Sequence, residues 1–131
     1  MEELHGRGVL KLSWGPTVNG RESLGVDVFG TIISYLGRLA AERHIDAHQM
    51  YLAMDGDLGS HGGFIMVPGT FAQLRALQAD VEWNRLLVAA SCVALNLVIG
   101  LYGGGDARAT MEIVSLHLSV HDQLGLLADS A

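Results

Sequence analysis

Seventeen consecutive residues without a charge, 86–102, constrain this chain more than any other feature. A membrane-spanning helix needs about 20 apolar residues, so the run falls at the lower edge of that length. Its character also changes halfway. The first part continues a helical pattern that begins at Val81. In the second part Val93, Leu95, Leu97, Ile99 and Leu101 alternate with smaller or polar residues, the signature of a strand with one buried face. No Lys or Arg follows before Arg108, and no aromatic belt frames the run. It reads as the end of a helix and then a strand over residues 93–101, both built into a core.

A core is within reach of 131 residues that are 50% hydrophobic and 17% charged, and residues 1–131 are expected to form a single domain. Residues 7–14 set Leu10, Leu12 and Trp14 against Val9, Lys11 and Ser13, which makes a first strand. From Glu22 to about His44, Leu24, Val28, Ile32, Tyr35, Leu36 and Leu39 recur at helical spacing. Gly25, Gly30 and Gly37 each cost that helix up to about 1 kcal/mol, so a close tertiary approach is expected to offset them. Residues 48–54 fit a second strand and 64–67 a third, ended by Pro68-Gly69 and joined to the second through a glycine-rich hairpin. Thr70 and Asp80 cap a two-part helix that runs to about Ala90. Asp106 caps a last helix reaching about Leu127, after the connector Gly103-Gly104-Gly105.

The order β-α-β-β-α-β plus a final α is that of a ferredoxin-like α+β sandwich, with an antiparallel sheet carrying helices on one face. With Leu10, Leu12, Met50, Leu52, Leu95, Leu97 and Ile99 towards the helices, the other face holds Val9, Lys11, Ser13, Gln49, Tyr51, Ala53, Ala94, Asn96 and Val98. Phe64 or Met66 joins it. So apolar a face calls for a cover, and a second copy of the chain is the simplest.

The stretch from Gly63 to Gly69, then Leu74, Leu77, Asp80, Glu82-Trp83-x-Arg85-Leu86 and the ending from Leu97 to Gly103 resemble the dimeric α+β barrel superfamily. The nearest resemblance is to small bacterial members without an assigned activity. It implies two ferredoxin-like protomers with their sheets face to face. The wider superfamily holds cofactor-free monooxygenases, muconolactone isomerases, haem enzymes and ligand-sensing domains, and none of their functional residues maps onto this sequence.

Several chemistries fail on spacing. A net charge of −6 without a basic run disfavours nucleic acid and anionic membranes as partners. The lone Cys92 excludes a disulfide framework and reads as a small buried hydrophobe, and with an N-terminus unlike an export signal it points to the cytoplasm. The loop from Asp55 to Ser60 lacks the position-5 and position-12 oxygen ligands of a calcium-binding EF-hand. Gly103-Gly104-Gly105 lacks the Lys-Ser/Thr of a phosphate loop, and Asp106 would repel an anion. Ser60-His61 are neighbours in sequence, not a nucleophile and its base. His117 and His121 stand one helical turn apart, a spacing that can share a metal, yet no third ligand follows. They read as part of a polar stripe, and no metal or organic cofactor is expected. Haem would need strand two shifted by one residue, turning His48 inwards and Tyr51 out. The open face remains. Lys11, Ser13, Gln49, Tyr51 and Asn96 would converge inside a dimeric barrel otherwise lined by apolar residues, as a small-molecule site requires. They either bind a small apolar ligand or hydrogen-bond across the dimer. A cofactor-independent enzyme acting on an apolar or aromatic metabolite is the alternative to a non-catalytic binding or structural dimer.

Overall fold

The computed structural model describes residues 6–55 and 62–125. Four strands, β1 (Arg7–Trp14), β2 (Gln49–Leu52), β3 (Gly63–Thr70) and β4 (Val98–Gly103), form one antiparallel sheet in the order β2-β3-β1-β4. The helices are α1 (Glu22–Ala41), α2 (Phe71–Ala79), α3 (Val81–Val93) and α4 (Ala107–Gln123). The sequence predicts this order, and the sheet is open.

Period-two alternation in β1 and β3 decides which face is dry. Leu10, Leu12 and Trp14 from β1 and Ile65 and Val67 from β3 are buried under the helices. There they meet Ile32, Tyr35 and Leu36 of α1, Leu74 and Leu77 of α2, and Trp83, Leu86 and Ala90 of α3. By length and composition α1 could cross a membrane, but Gly25, Ile32, Tyr35 and Leu36 place it in this core instead. The close approach expected to offset the glycines of α1 is not found: a Cβ on Gly25 would make ordinary contact with Thr17 Cγ2 at 3.4 Å, and one on Gly37 would lie 3.9 Å from His48 Nε2. A Cβ on Gly30 would meet open space. Pro68 sits within β3 beyond the β2 pairing, which reaches only as far as Gln49 opposite Met66, so among the described residues that edge of β3 has no strand partner at Pro68.

Helix α1 stops at Ala41, earlier than its sequence pattern suggests. Arg43 takes a left-handed φ of 63°, and the N–H groups of Arg43 and His44 donate to the Ala40 and Leu39 carbonyls. This is a Schellman ending with arginine where glycine is usual. An Arg43→Gly variant is expected to gain about 0.5–1 kcal/mol, from relief of left-handed strain less the added freedom of the unfolded chain. Urea denaturation at neutral pH measures it.

The fourth strand corrects the sequence reading. Residues 93–97 are not strand. Val93 closes α3, where Trp83, Leu86, Ala90 and Val93 make one buried helical stripe. Ala94 forms an isolated bridge to Thr17 and is buried, Leu95 is exposed, and Asn96 has a left-handed φ of 55°. Strand β4 begins only at Val98. Leu52 and Ile99, expected in the core, lie on edge strands beyond the cover of the helices and are exposed. Cys92 is likewise exposed on α3, not buried. The β2–β3 pairing establishes the hairpin, although most of its loop, including Ser60 and His61, lies outside the described residues.

Candidate functional site

Register places the open face. Lys11 pairs with Met66 and Gly100, Ser13 with Phe64 and Val98, and Val9 with Pro68 and Tyr102. On β2, Gln49 lies opposite Met66 and Tyr51 opposite Phe64. Strand two is therefore unshifted, with Met50 towards the helices and Tyr51 on the open face. His48 stays off that face. The Tyr51 and Phe64 rings stand 5.2 Å apart, and Lys11 Nζ lies 4.8 Å from the centre of the Phe64 ring. This cation–π contact holds the ammonium over the sheet, and among the described residues no carboxylate pairs with it.

Lys11, Ser13, Tyr51 and Asn96, four of the five residues picked out from sequence, line one groove of about 400 Å³ together with Trp14, Phe64 and Ala53. Asn96 arrives from the α3–β4 connection rather than from a strand. Its left-handed backbone turns the chain beside β1, where Gly15 N–H donates to the Leu95 carbonyl at 2.7 Å. Gln49 belongs elsewhere. It joins Val9, Met66, Pro68 and Tyr102 along a second groove of about 560 Å³, walled at one end by Gly103, Gly104, Gly105, Asp106 and Ala109. Sequence reasoning missed this second groove. Its signal was the glycine triplet, in which Gly104 and Gly105 adopt φ of 123° and 110° and so carry the chain from β4 into α4 at the edge of the face. The Asp106 side chain accepts from Ala109 N–H at 2.8 Å and so occupies the start of α4 itself.

Displaced proton affinities occur on the other side of the sheet. The Tyr35 hydroxyl donates to Asp80, which also accepts from Trp83 N–H at 2.9 Å and caps α3. Burial and the Asp80 carboxylate push the Tyr35 pKa up to about 12, while the same hydrogen bond holds Asp80 below the usual carboxylate range. Asp46 is lowered by hydrogen bonds from Arg7 and Gln73, which tie the end of β1 to α2. These pairs lock elements together; Tyr35, Asp80 and Asp46 line neither groove, while Arg7 also borders the second one.

His117 and His121 are exposed on α4. Among the described residues no three His, Cys, Asp or Glu side chains gather closely enough to hold a metal. A thermal melt in excess chelator is expected to keep its midpoint, whereas a fall reversed by added zinc or nickel would assign this pair a ligand role.

Sheet, helix layer and open face together define a ferredoxin-like α+β protein. It is similar to the crystal structure of a dimeric ferredoxin-like protein of unknown function from Jannaschia sp. CCS1, with a TM-score of 0.58 at 14% identity, over 73% of this chain and 97% of that one. No family model matches the sequence, and no curated protein matches it either.

Proposed function

We propose that this protein is a homodimer whose two open sheet faces meet and enclose a cavity for a small, mostly apolar molecule. One observation carries the reading. Lys11, Ser13, Tyr51 and Asn96 converge on a single groove with Trp14 and Phe64, few polar groups on an apolar wall, as small-molecule sites require. The dimeric state of the similar Jannaschia protein supports the assembly. The 131 residues act as one domain, and the single unpaired cysteine suits a reducing cytoplasm.

Sedimentation at micromolar concentration tests the dimer, and a 14.0 kDa species alone would overturn it. Trp14 lines the groove and reports its occupancy. Titration with small aromatic acids is expected to change Trp14 fluorescence in a saturable way, and Lys11→Met to weaken that response. A response that never saturates would leave a purely structural dimer. The enzymatic alternative, a cofactor-independent reaction on an aromatic or apolar metabolite, draws on Lys11 and Tyr51 sharing the groove, since both carry transferable protons. Turnover of such a metabolite that is lost in Tyr51→Phe would establish it.

A further inference from the structure

We infer that the molecule enclosed between the two sheets is an anion, an aromatic carboxylate seated on Lys11, and that its binding tightens the dimer. The inference rests on the sheet-face cavity proposed above.

The charges on the sheet carry it. Across the four strands only Arg7 and Lys11 are charged. Arg7 stands at the end of β1 and is ion-paired with Asp46. Lys11, the only lysine of the chain, stands in the middle of β1, which is an inner strand. It is already half-buried in the single protomer. Phe64 flanks its ammonium towards β3, and the Tyr102 ring lies over Gly100, its neighbour on β4.

When two such faces meet, two ammonium groups leave water together. A buried charge without a partner is costly, and folded proteins pair it. No strand of the face supplies a carboxylate, and an identical second face adds only another ammonium. An anion brought in with the ligand supplies what the protein leaves out. The net charge of −6 does not oppose it inside the cavity, because exposed acidic groups are screened beyond about 10 Å at 0.1 M salt.

The groove walls call for the ring. Ser13 follows Lys11 on the same face, about 6.6 Å along the strand, and lines the groove with Asn96. The Ser13 hydroxyl and the Asn96 amide both offer donors to a carboxylate held by Lys11. Its ring then lies against Tyr51, Phe64 and Trp14 on the apolar side of the same groove. Phe64 stands opposite Ser13, so the cation–π contact turns the ammonium towards Ser13 and away from Val9 in the second groove.

Benzoate and benzamide, one ring with a charge and without it, test the inference on the full-length protein at neutral pH. In the wild type, benzoate is expected to change Trp14 fluorescence saturably, with a dissociation constant at least about tenfold below that of benzamide. At about ten times that constant, benzoate is expected to lower the dimer dissociation constant in sedimentation at least about tenfold, because the closed cavity holds it and the open face does not. Lys11→Met is expected to bind both probes alike and to dimerise without ligand at least as tightly as the wild type. Benzamide that saturates the wild type as tightly as benzoate would overturn the anion and leave the apolar cavity standing. A Lys11→Met dimer at least about tenfold looser than the wild type would overturn it too, since Lys11 would then bond across the interface. Acetate bound as tightly as benzoate would overturn the aromatic carboxylate in favour of a bare anion. Saturation by neither probe, or a Val9→Asp protein that remains dimeric, would overturn the cavity reading and this inference with it.

Discussion

Val9→Asp protein is expected to sediment as a 14.0 kDa monomer at micromolar concentration while keeping its folded circular dichroism spectrum. Val9 lies on the open face of β1, opposite Pro68 and Tyr102, and contributes nothing to the buried cluster on the helix side. The protomer loses little. A buried, uncompensated carboxylate costs about 3–5 kcal/mol, and a two-fold interface carries the substitution twice. The dimer is therefore expected to weaken by about 10⁴-fold or more. Val9→Ala, which introduces no charge, is expected to stay dimeric at the same concentration. Equal dimer content in wild type and Val9→Asp would place the interface on another surface.

Asp80→Ala is expected to cost the protomer about 2–4 kcal/mol. Part is the lost cap on α3, about 1 kcal/mol, and the rest is the Tyr35 hydroxyl left without an acceptor near the core. Tyr35→Phe removes donor and demand together and should cost only about 1 kcal/mol. In a double-mutant cycle the second substitution should cost much less than the first. The pH dependence has two limbs. Asp80 has its pKa lowered by folding, chiefly by the Tyr35 hydrogen bond, so its contribution is present above the unfolded value near 4 and is lost as pH falls through the lower folded value. Tyr35 has its pKa raised to about 12, chiefly by burial, so its contribution is complete below pH 10 and disappears as pH rises towards about 12. Denaturant midpoints across pH 2–12 should lose the alkaline limb in Tyr35→Phe, while Asp80→Asn should shrink the acid limb, which Asp46 shares. A Tyr35→Phe profile that still falls between pH 10 and 12 would assign that limb to another group.

Strand β1 was legible because period-two alternation has no rival in residues 7–14: a helix through Leu10, Leu12 and Trp14 would scatter them around its surface. Residues 90–97 satisfied two periods at once. Leu86, Ala90 and Val93 fit a helical stripe as well as Val93, Leu95 and Leu97 fit a strand, and the helix won because that stripe, which begins at Trp83, is buried where α3 meets α1. Asn96 reached the groove despite that error, carried there by a backbone turn instead of strand alternation. Strand two was apolar on both sides, and its register came from a partner, Phe64 stacking with Tyr51. Cys92 was misjudged because composition reports how often cysteine is buried, not which side of a helix it occupies. The Tyr35–Asp80 pair joins residues 45 positions apart and leaves no local pattern. Ile45, buried just beyond the Arg43 turn, was equally hidden.

The strand order β2-β3-β1-β4 sets a timetable for synthesis on the ribosome. Strand β1 is made first, yet both of its hydrogen-bonded neighbours come later in the chain, β3 at Gly63–Thr70 and β4 at Val98–Gly103. Translation at about 5–20 residues per second leaves β1 without its second partner for roughly 5–20 s. Through that interval Leu10, Leu12 and Trp14, which end buried in the core, depend on a half-built sheet and on α1 for shelter. Slow codons between β1 and β4 would prolong the exposure and lower the yield of soluble protein, while every molecule that reached the folded state would be unchanged.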